Sequence, residues 1–390
     1  MTYDAIVVGA GPAGSTCAYR LADAGASVLL LDRARFPRDK PCGGGVTLRA
    51  LGVLPVSIDP VVEDVVNVAE LCLRYGARYE RGSGAPLAVM TQRIRLDAHL
   101  VAEAVRAGAE LRDGTKVDGI ETRNGRVVVA AGRERLSGRA LVGADGVNGI
   151  VGRELGLGGN QAVGVALEGN VPWGKLDRGR YAGRIVMELG VISGGYAWVF
   201  PKGDHANVGV GGWESEGPQL RAHLARVCTE HGIVPADLEE LRGYRLPLRS
   251  PRSTLARGRT LVVGDAAGLI DPLSGDGMYE AFVSARFAAE SVLDLLAGRA
   301  ATLESYGTRL GRSLAAHLWA SWGLKVALDR FPRTTFALAK SGLVWAAIEK
   351  VVRGELADVT AARGISRAPL KALAMLGHAA GNPGQAFREA

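Results

Sequence analysis

Cysteine is scarce in this 390-residue chain, and the four present (Cys17, Cys42, Cys72, Cys228) stand far apart with no CxxC pair. That spacing disfavours a disulfide framework and a zinc site, and it fits a reducing, cytoplasmic compartment. Histidine is sparse too, with six scattered residues at no metal-ligand spacing; no metal is expected. No basic leader precedes the first apolar run, so no secretory signal is expected. No stretch of about 18 uncharged apolar residues occurs, which excludes a membrane-spanning helix of the usual kind. Internal repeats and low-complexity linkers are also missing.

Glycine is the residue in excess: 54 positions, about twice the usual share. It follows no collagen period and gathers in short runs such as Gly43–Gly45, which implies tight turns and backbone that approaches a ligand closely. A content of 47% hydrophobic and 22% charged residues is that of an ordinary globular chain. Forty-seven basic against forty acidic residues give a net charge of +7. That charge favours anionic neighbours: phosphates, an acidic redox partner or an anionic membrane surface.

Tyr3–Val8 is an apolar, β-branched run without alternation, as a strand buried on both faces should be. Gly9-Ala-Gly11-Pro-Ala-Gly14 follows it, then a helical pattern over Ala13–Ala24 that stops at Gly25, then a second buried strand, Ser27–Leu31, ending at Asp32. This is a βαβ unit of about thirty residues. Further strands are expected at Ala69–Tyr79 and Leu87–Thr91, a helix at Leu96–Ala107, and a meander at Val117–Ile120, Arg126–Ala131 and Glu134–Ser137 with an Asn124-Gly125 turn. Ala140–Gly143 reads as a separate buried strand. Val163–Val171, Arg184–Leu189, Tyr196–Phe200 and Ala206–Val210 suggest a second sheet, followed by a polar helix near Pro218–His231. Thr260–Val263 returns to the buried pattern, a helix covers Gly277–Leu296, and everything past about 300 reads as helical, with Trp319, Trp322 and Trp345 on apolar faces.

In the first turn each glycine has a task. Gly9 allows the tight bend, Gly11 lets a pyrophosphate reach the backbone, and Gly14 lets helix pack on strand. Pro12 and Ala13 open the helix, whose free N–H groups and dipole suit an anion. Asp32 sits where a carboxylate accepts from a ribose hydroxyl. The turn alone does not separate FAD from NAD. A later segment does: Gly264-Asp265-Ala-Ala-Gly268, then Asp271-Pro272-Leu-Ser-Gly275-Asp276-Gly277. A strand delivers Asp265 to a ribityl chain, and a helix N-terminus points at the anionic edge of a reduced flavin.

These segments together resemble the FAD-dependent oxidoreductases of the para-hydroxybenzoate hydroxylase fold. Gly143-Ala-Asp145-Gly146 is similar to that fold's middle motif. Within it the chain resembles the geranylgeranyl reductase family. Arg38-Asp-Lys40-Pro-Cys42-Gly43-Gly44-Gly45 is similar to that family's cysteine–glycine loop, and Gly195-Tyr196-Ala-Trp198-Val-Phe200-Pro201-Lys202 with Asn207-Val-Gly209 to its aromatic strand. Arg93 and Asp97 match its R-x-x-L-D helix start; Phe331-Pro332-Arg333 and Val351–Leu356 match its helical tail. The resemblance implies FAD held by these motifs, with Arg33, Arg93, Asp145 and Met278 added to the cofactor set.

Residue by residue, Cys42 lies between the charges of Arg38 and Lys40 on one side and the glycine stretch on the other, and a nearby cation lowers a thiol pKa. It reads as a proton donor or a gate to the flavin, against the plainer reading of a small packed residue. Three glycines after it leave bare backbone for a flat ring. Tyr196, Trp198 and Phe200 alternate along one strand and form one aromatic wall, suited to a long apolar ligand, with a polar handle on Tyr196 or Trp198. Cys42, Tyr196 and Trp198 are the candidate catalytic residues. Lys202 reads as a solvated turn lysine, and the other cysteines as packing.

The expected fold class is α/β: a Rossmann-type FAD-binding domain (1–60, 92–160 and 250–300) with an inserted antiparallel-sheet substrate domain (61–91 and 161–249) and C-terminal helices (301–390). The expected activity is saturation of C=C bonds in a geranylgeranyl-type chain by hydride from reduced flavin. A flavin monooxygenase of an aromatic or apolar molecule is the alternative, and a halogenase a weaker one. One dinucleotide fingerprint is present, so the electron donor is either transiently bound NADPH or a reduced ferredoxin-type carrier. A prenyl-chain substrate and peripheral membrane contact are expected, and no nucleic acid.

Overall fold

The computed structural model describes residues 2–123, 125–159, 162–248, 253–358, 361 and 367–381. Thr2–Val8 lies at the centre of an eight-stranded sheet, parallel to Val28–Leu31 on one side and to Glu134–Gly143 on the other. Thr260–Val262 and Glu110–Arg112 extend the parallel core outward. Helix Pro12–Asp23 packs between Met278–Leu296 and Arg93–Arg106. Covered on both faces, Ile6, Leu29 and Leu30 are fully buried, and each such side chain contributes about 1.5–3 kcal/mol. This is why these strands read as unbroken apolar runs.

The two strands expected at Glu134–Ser137 and Ala140–Gly143 are one ten-residue strand, Glu134–Gly143. Its first half pairs antiparallel with Arg126–Ala131, and it runs parallel to Thr2–Val8 from Ser137 on. Gly138 does not break it, because a Cβ there would press on Ile6 at 3.0 Å. The meander's first strand is Gly119–Arg123, two residues later than expected. Asn124 of the expected turn lies outside the described residues; Gly125 has φ +70°.

The second sheet has seven strands in the order Glu239–Leu248, Ala162–Pro172, His205–Trp213, Tyr196–Pro201, Arg184–Leu189, Val68–Leu73, Ala77–Gly82. All neighbours are antiparallel except Arg184–Leu189 with Val68–Leu73. The single strand expected at Ala69–Tyr79 is a hairpin: Arg74 and Tyr75 turn the chain at φ 52° and 60°. Bonds from Arg74 N–H to Leu189 O (3.0 Å) and from Tyr75 N–H to Glu188 Oε2 (3.1 Å) hold that turn. Strand Glu239–Leu248 was not anticipated. It is the sheet's edge, and its charged stretch Glu239, Glu240, Arg242 hides the pattern, as edge strands often do. A three-stranded sheet of Gly45–Thr47, Ala88–Met90 and Asp64–Val66 stands beside the cysteine–glycine loop.

Past residue 300 come helices Ser305–Arg330, Pro332–Ala339, Gly342–Val352 and Arg367–Ala380. Trp322 and Trp345 are buried, but Trp319 is 40% exposed and stacks on His378 instead. Among the described residues no helix is long and apolar enough to cross a membrane.

Candidate functional site: a dinucleotide turn, a cysteine loop and an aromatic strand

The site grows from the first strand. Gly9 has φ +101°, and a Cβ there would overlap the carbonyl of Ala144, so the turn is wedged against the segment that leads to Asp145. A Cβ on Gly14 would overlap the Gly9 carbonyl. Gly11 differs: its nearest neighbour would be Arg38 Nη2 at 3.5 Å, which leaves its face open. Pro12 starts the helix, Ala13 follows, and the first-turn N–H groups have no carbonyl within the helix. Asp32 braces this turn, accepting from Ala10 N–H at 2.8 Å and Ala34 N–H at 2.9 Å. Arg33 is exposed; Arg38, a near neighbour of Cys42 in sequence, faces Gly11 and lies 3.9 Å from Asp32. Buried Thr16 Oγ1 and Asp145 Oδ1 have no hydrogen-bond partner. An open glycine face, free helix N–H groups and orphaned polar atoms fit a dinucleotide.

Asp145 Oδ2 accepts from Val151 N–H (3.0 Å) in the first turn of the helix Ile150–Leu155. Asp265 follows the strand Thr260–Val262 and Gly264 (φ +55°). Burial pushes Asp265 up, yet the Lys40 ammonium at 2.8 Å, aided by Arg93, holds it below the usual carboxylate range. Arg93 is itself buried and makes a two-pronged pair with Asp97 (2.7 and 2.8 Å), which also takes Arg38 at 2.6 Å. The turn after Ile270 buries Pro272, bends at Gly275 (φ +66°), and leads through Asp276 and Gly277 into the helix that Met278 begins. Asp276 Oδ1 accepts from Met278 N–H at 2.9 Å.

The cysteine loop corrects one expectation. Arg38 and Lys40 turn away to Asp97 and Asp265, and the cations facing Cys42 are Arg93 and Lys202. Burial outweighs both and pushes the thiol up, not down. Lys202 is no solvated turn lysine: it is 6% exposed, and its Nζ donates to Cys42 O at 2.8 Å. Buried Glu168 takes the other end, accepting Cys42 N–H at 2.7 Å, and Tyr244 OH donates to its second oxygen at 3.0 Å. Cys42 Sγ accepts from Gly44 N–H at 3.4 Å. Gly44 has φ +85°, and a Cβ there would strike Thr91 O and Lys202. A Cβ on Gly43 would come within 3.0 Å of the Phe200 ring, whereas one on Gly45 would meet nothing closer than 3.7 Å.

Tyr196, Trp198 and Phe200 do share a face, with successive ring centroids 6.0 and 6.2 Å apart. Gly209 on the adjacent strand makes room for the indole, since a Cβ there would overlap it. Neither polar handle is free. Trp198 Nε1 donates to Asn207 Oδ1 at 2.7 Å, and Tyr196 OH donates to Ser274 O in the flavin-motif turn. The tyrosine therefore joins wall and turn. Of two clefts, one of about 610 Å³ runs between Gly146, Arg153, Ser253 and Asp265, and one of about 380 Å³ lies beside Arg74, Glu216, His223 and Asp329. Neither is lined by the aromatic wall.

The chain is similar in sequence and in fold to known proteins. The family described as FAD binding domain matches residues 2–316. Geranylgeranyl diphosphate reductase of Rhodobacter capsulatus is 32% identical over 332 residues, 79% of this chain and 82% of that one. Menaquinone reductase of Mycolicibacterium smegmatis is 30% identical over 380 residues, 90% and 91% of the two chains. A crystal structure of a geranylgeranyl bacteriochlorophyll reductase-like protein from Thermoplasma acidophilum superimposes with a TM-score of 0.79 at 22% identity, covering 100% of this chain and 98% of that one. With the glycine turn, Asp265 and the cysteine loop in these places, the chain belongs to the geranylgeranyl reductase family of FAD-dependent oxidoreductases.

Proposed function

We propose that this enzyme reduces C=C bonds of a prenyl chain. The single observation that carries the reading is the wall Tyr196–Trp198–Phe200 closing on Gly43 through Phe200 and Trp198 and on the Asp271 turn through the Tyr196–Ser274 bond. The relatives named for geranylgeranyl diphosphate and menaquinone support it, because both compounds carry an isoprenoid chain. Bound and reduced FAD supplies the hydride.

The chain's own residues supply place and proton. The first glycine turn and the helix start at Pro12 hold the pyrophosphate, and Asp265 the ribityl chain. Tyr196, Trp198 and Phe200 hold the apolar substrate and keep water from it. Cys42 keeps its proton at neutral pH because burial raises the thiol, which suits a donor to the second alkene carbon better than a nucleophile. Exposed Leu343, Met375 and Leu376 on the C-terminal helices support docking to a membrane surface, where a prenyl chain resides. Electrons come from NADPH or from a reduced ferredoxin-type carrier, and anaerobic bleaching by NADPH alone decides between them.

The test is anaerobic. The flavin-loaded chain is reduced and mixed with geranylgeranyl diphosphate. Flavin reoxidation with a product gain of about two daltons per bond supports the reading. Reoxidation that needs oxygen and adds about sixteen daltons makes the protein a monooxygenase instead.

A further inference from the structure

Behind the Asp271–Gly277 turn lies a group of buried ionisable side chains. Asp271 and Glu280 are 5% and 1% exposed. His317, on helix Ser305–Arg330, reaches both: its Nε2 is 3.1 Å from Asp271 Oδ2 and 3.1 Å from Glu280 Oε1. On the other side of the ring Arg49 Nη1 lies 3.1 Å from Nδ1. A guanidinium has only N–H groups to offer. This contact therefore requires a bare Nδ1 and sets the ring proton on Nε2, between the two carboxylates. The three donor atoms lie within 4.8 Å of one another, a spacing that would also suit a cation. A protonated Nε2 has no lone pair for one, so the arrangement argues for a proton.

Every packed element brings a charge or a polar group. The short helix Leu48–Leu51 brings Arg49, whose guanidinium also sits 3.7 Å from the Tyr279 ring centroid. The turn brings Asp271 and Asp276. Helix Met278–Leu296 brings Tyr279 and Glu280. His317's own helix adds Ser321, which bonds Asp271, and Lys325, which Asp271 attracts. Asp271 Oδ1 is occupied by Ser274 N–H and Oγ–H, each at 2.7 Å. Glu280 Oε2 and Asp271 Oδ2 have no hydrogen-bond partner: the ring N–H goes to Glu280 Oε1, and Asp271 Oδ2 is a close neighbour of it.

We propose that His317, Asp271 and Glu280 form a proton-holding unit for the flavin-motif turn, which takes up one proton when negative charge appears at the turn's outer face. The proposal rests on the FAD reading. Two electrons that reach the flavin with one proton leave one negative charge there. A second proton, from solvent, then settles on a carboxylate of the unit, so two electrons enter with two protons. The electrostatics support this. Burial and Asp271 raise Glu280, and burial and Glu280 bring Asp276 to about 7. Asp271 and Glu280 pull His317 upward against burial, but the Arg49 N–H at Nδ1, 3.1 Å away, opposes a second ring proton and keeps the ring neutral.

The test is the pH dependence of the flavin midpoint potential in the FAD-loaded full chain, read by spectroelectrochemistry between about pH 6 and pH 8. The wild type should show about two protons per two electrons, and H317Q about one, because without the Nε2–H donor the acid pair is proton-loaded before reduction. E280Q, which keeps the side-chain shape, should also give about one, and it stands in if H317Q fails to fold. Equal proton counts in wild type and E280Q, with FAD bound, overturn this proposal alone. A chain that binds no FAD overturns the flavin reading as well. Stoichiometric Zn²⁺ or Mn²⁺ in equilibrium dialysis, lost in E280Q, overturns the proposal in favour of a metal site.

Discussion

Lys202 and Glu168 hold the peptide of Cys42 from opposite ends, the ammonium at its carbonyl (2.8 Å) and the carboxylate at its N–H (2.7 Å). Both are buried, so each also answers the other's charge. Lys202→Met should lower stability by about 1–3 kcal/mol, because it orphans the Cys42 carbonyl and leaves Glu168 buried without its cation. Urea unfolding measures this, and a variant as stable as the parent would remove the grip from the account.

Cys42 should behave as a poor nucleophile. Burial raises its thiol although Arg93 and Lys202 face it. Iodoacetamide labelling followed by mass spectrometry should therefore stay slow at neutral pH and rise only in alkali. An inflection below that of a free thiol would show that the cations win.

The first turn separates fold from cofactor. Gly14→Ala forces a Cβ into the Gly9 carbonyl and should destabilise the protein by about 1–3 kcal/mol or more. Gly11→Ala meets nothing closer than 3.5 Å. It should leave the melting temperature nearly unchanged yet weaken FAD binding at least about tenfold, by standing where the pyrophosphate approaches. Fluorescence titration with FAD checks the pair; a Gly11→Ala protein that binds normally would count against pyrophosphate at this turn.

Lys325 offers a pH signature. Buried on helix Ser305–Arg330, it donates to Gly194 O and lies 4.4 Å from the Trp213 ring centroid. Burial lowers it from 10.5 to about 8. Between those values the unfolded chain binds the extra proton, so stability rises with pH through that window, and below about 8 the whole penalty is present. Relative to Lys325→Met, the wild type should gain up to about 3 kcal/mol between pH 8 and 10 in chemical denaturation. Parallel pH curves for the two proteins would disprove the shift.

What the sequence revealed was what lies close along the chain. Gly9, Gly11 and Gly14 fall within six residues of one another, and Asp265 follows its strand directly. Local spacing is enough to read them. Tyr196, Trp198 and Phe200 obey strand periodicity and were legible for the same reason. Lys202 and Glu168 were not: they meet Cys42 across 160 and 126 residues. The cysteine's electrostatics failed likewise, because Arg38 and Lys40, its neighbours in sequence, spend their charge on Asp97 and Asp265. Glu280 and His317 carry no mark in the sequence, since only the packing of two helices on one turn brings them within 3.1 Å. Strand Glu239–Leu248 escaped notice because only one of its edges needs to look like a strand.

The chain leaves the parallel sheet for the seven-stranded one at Val68, returns at Glu110, departs again at Ala162 and comes home at Ala256. Neither layer can be excised with a single cut, and each is sewn shut by threads that belong to the other. Loosening one should therefore loosen both, so that melting proceeds as one cooperative event and limited proteolysis releases no stable half.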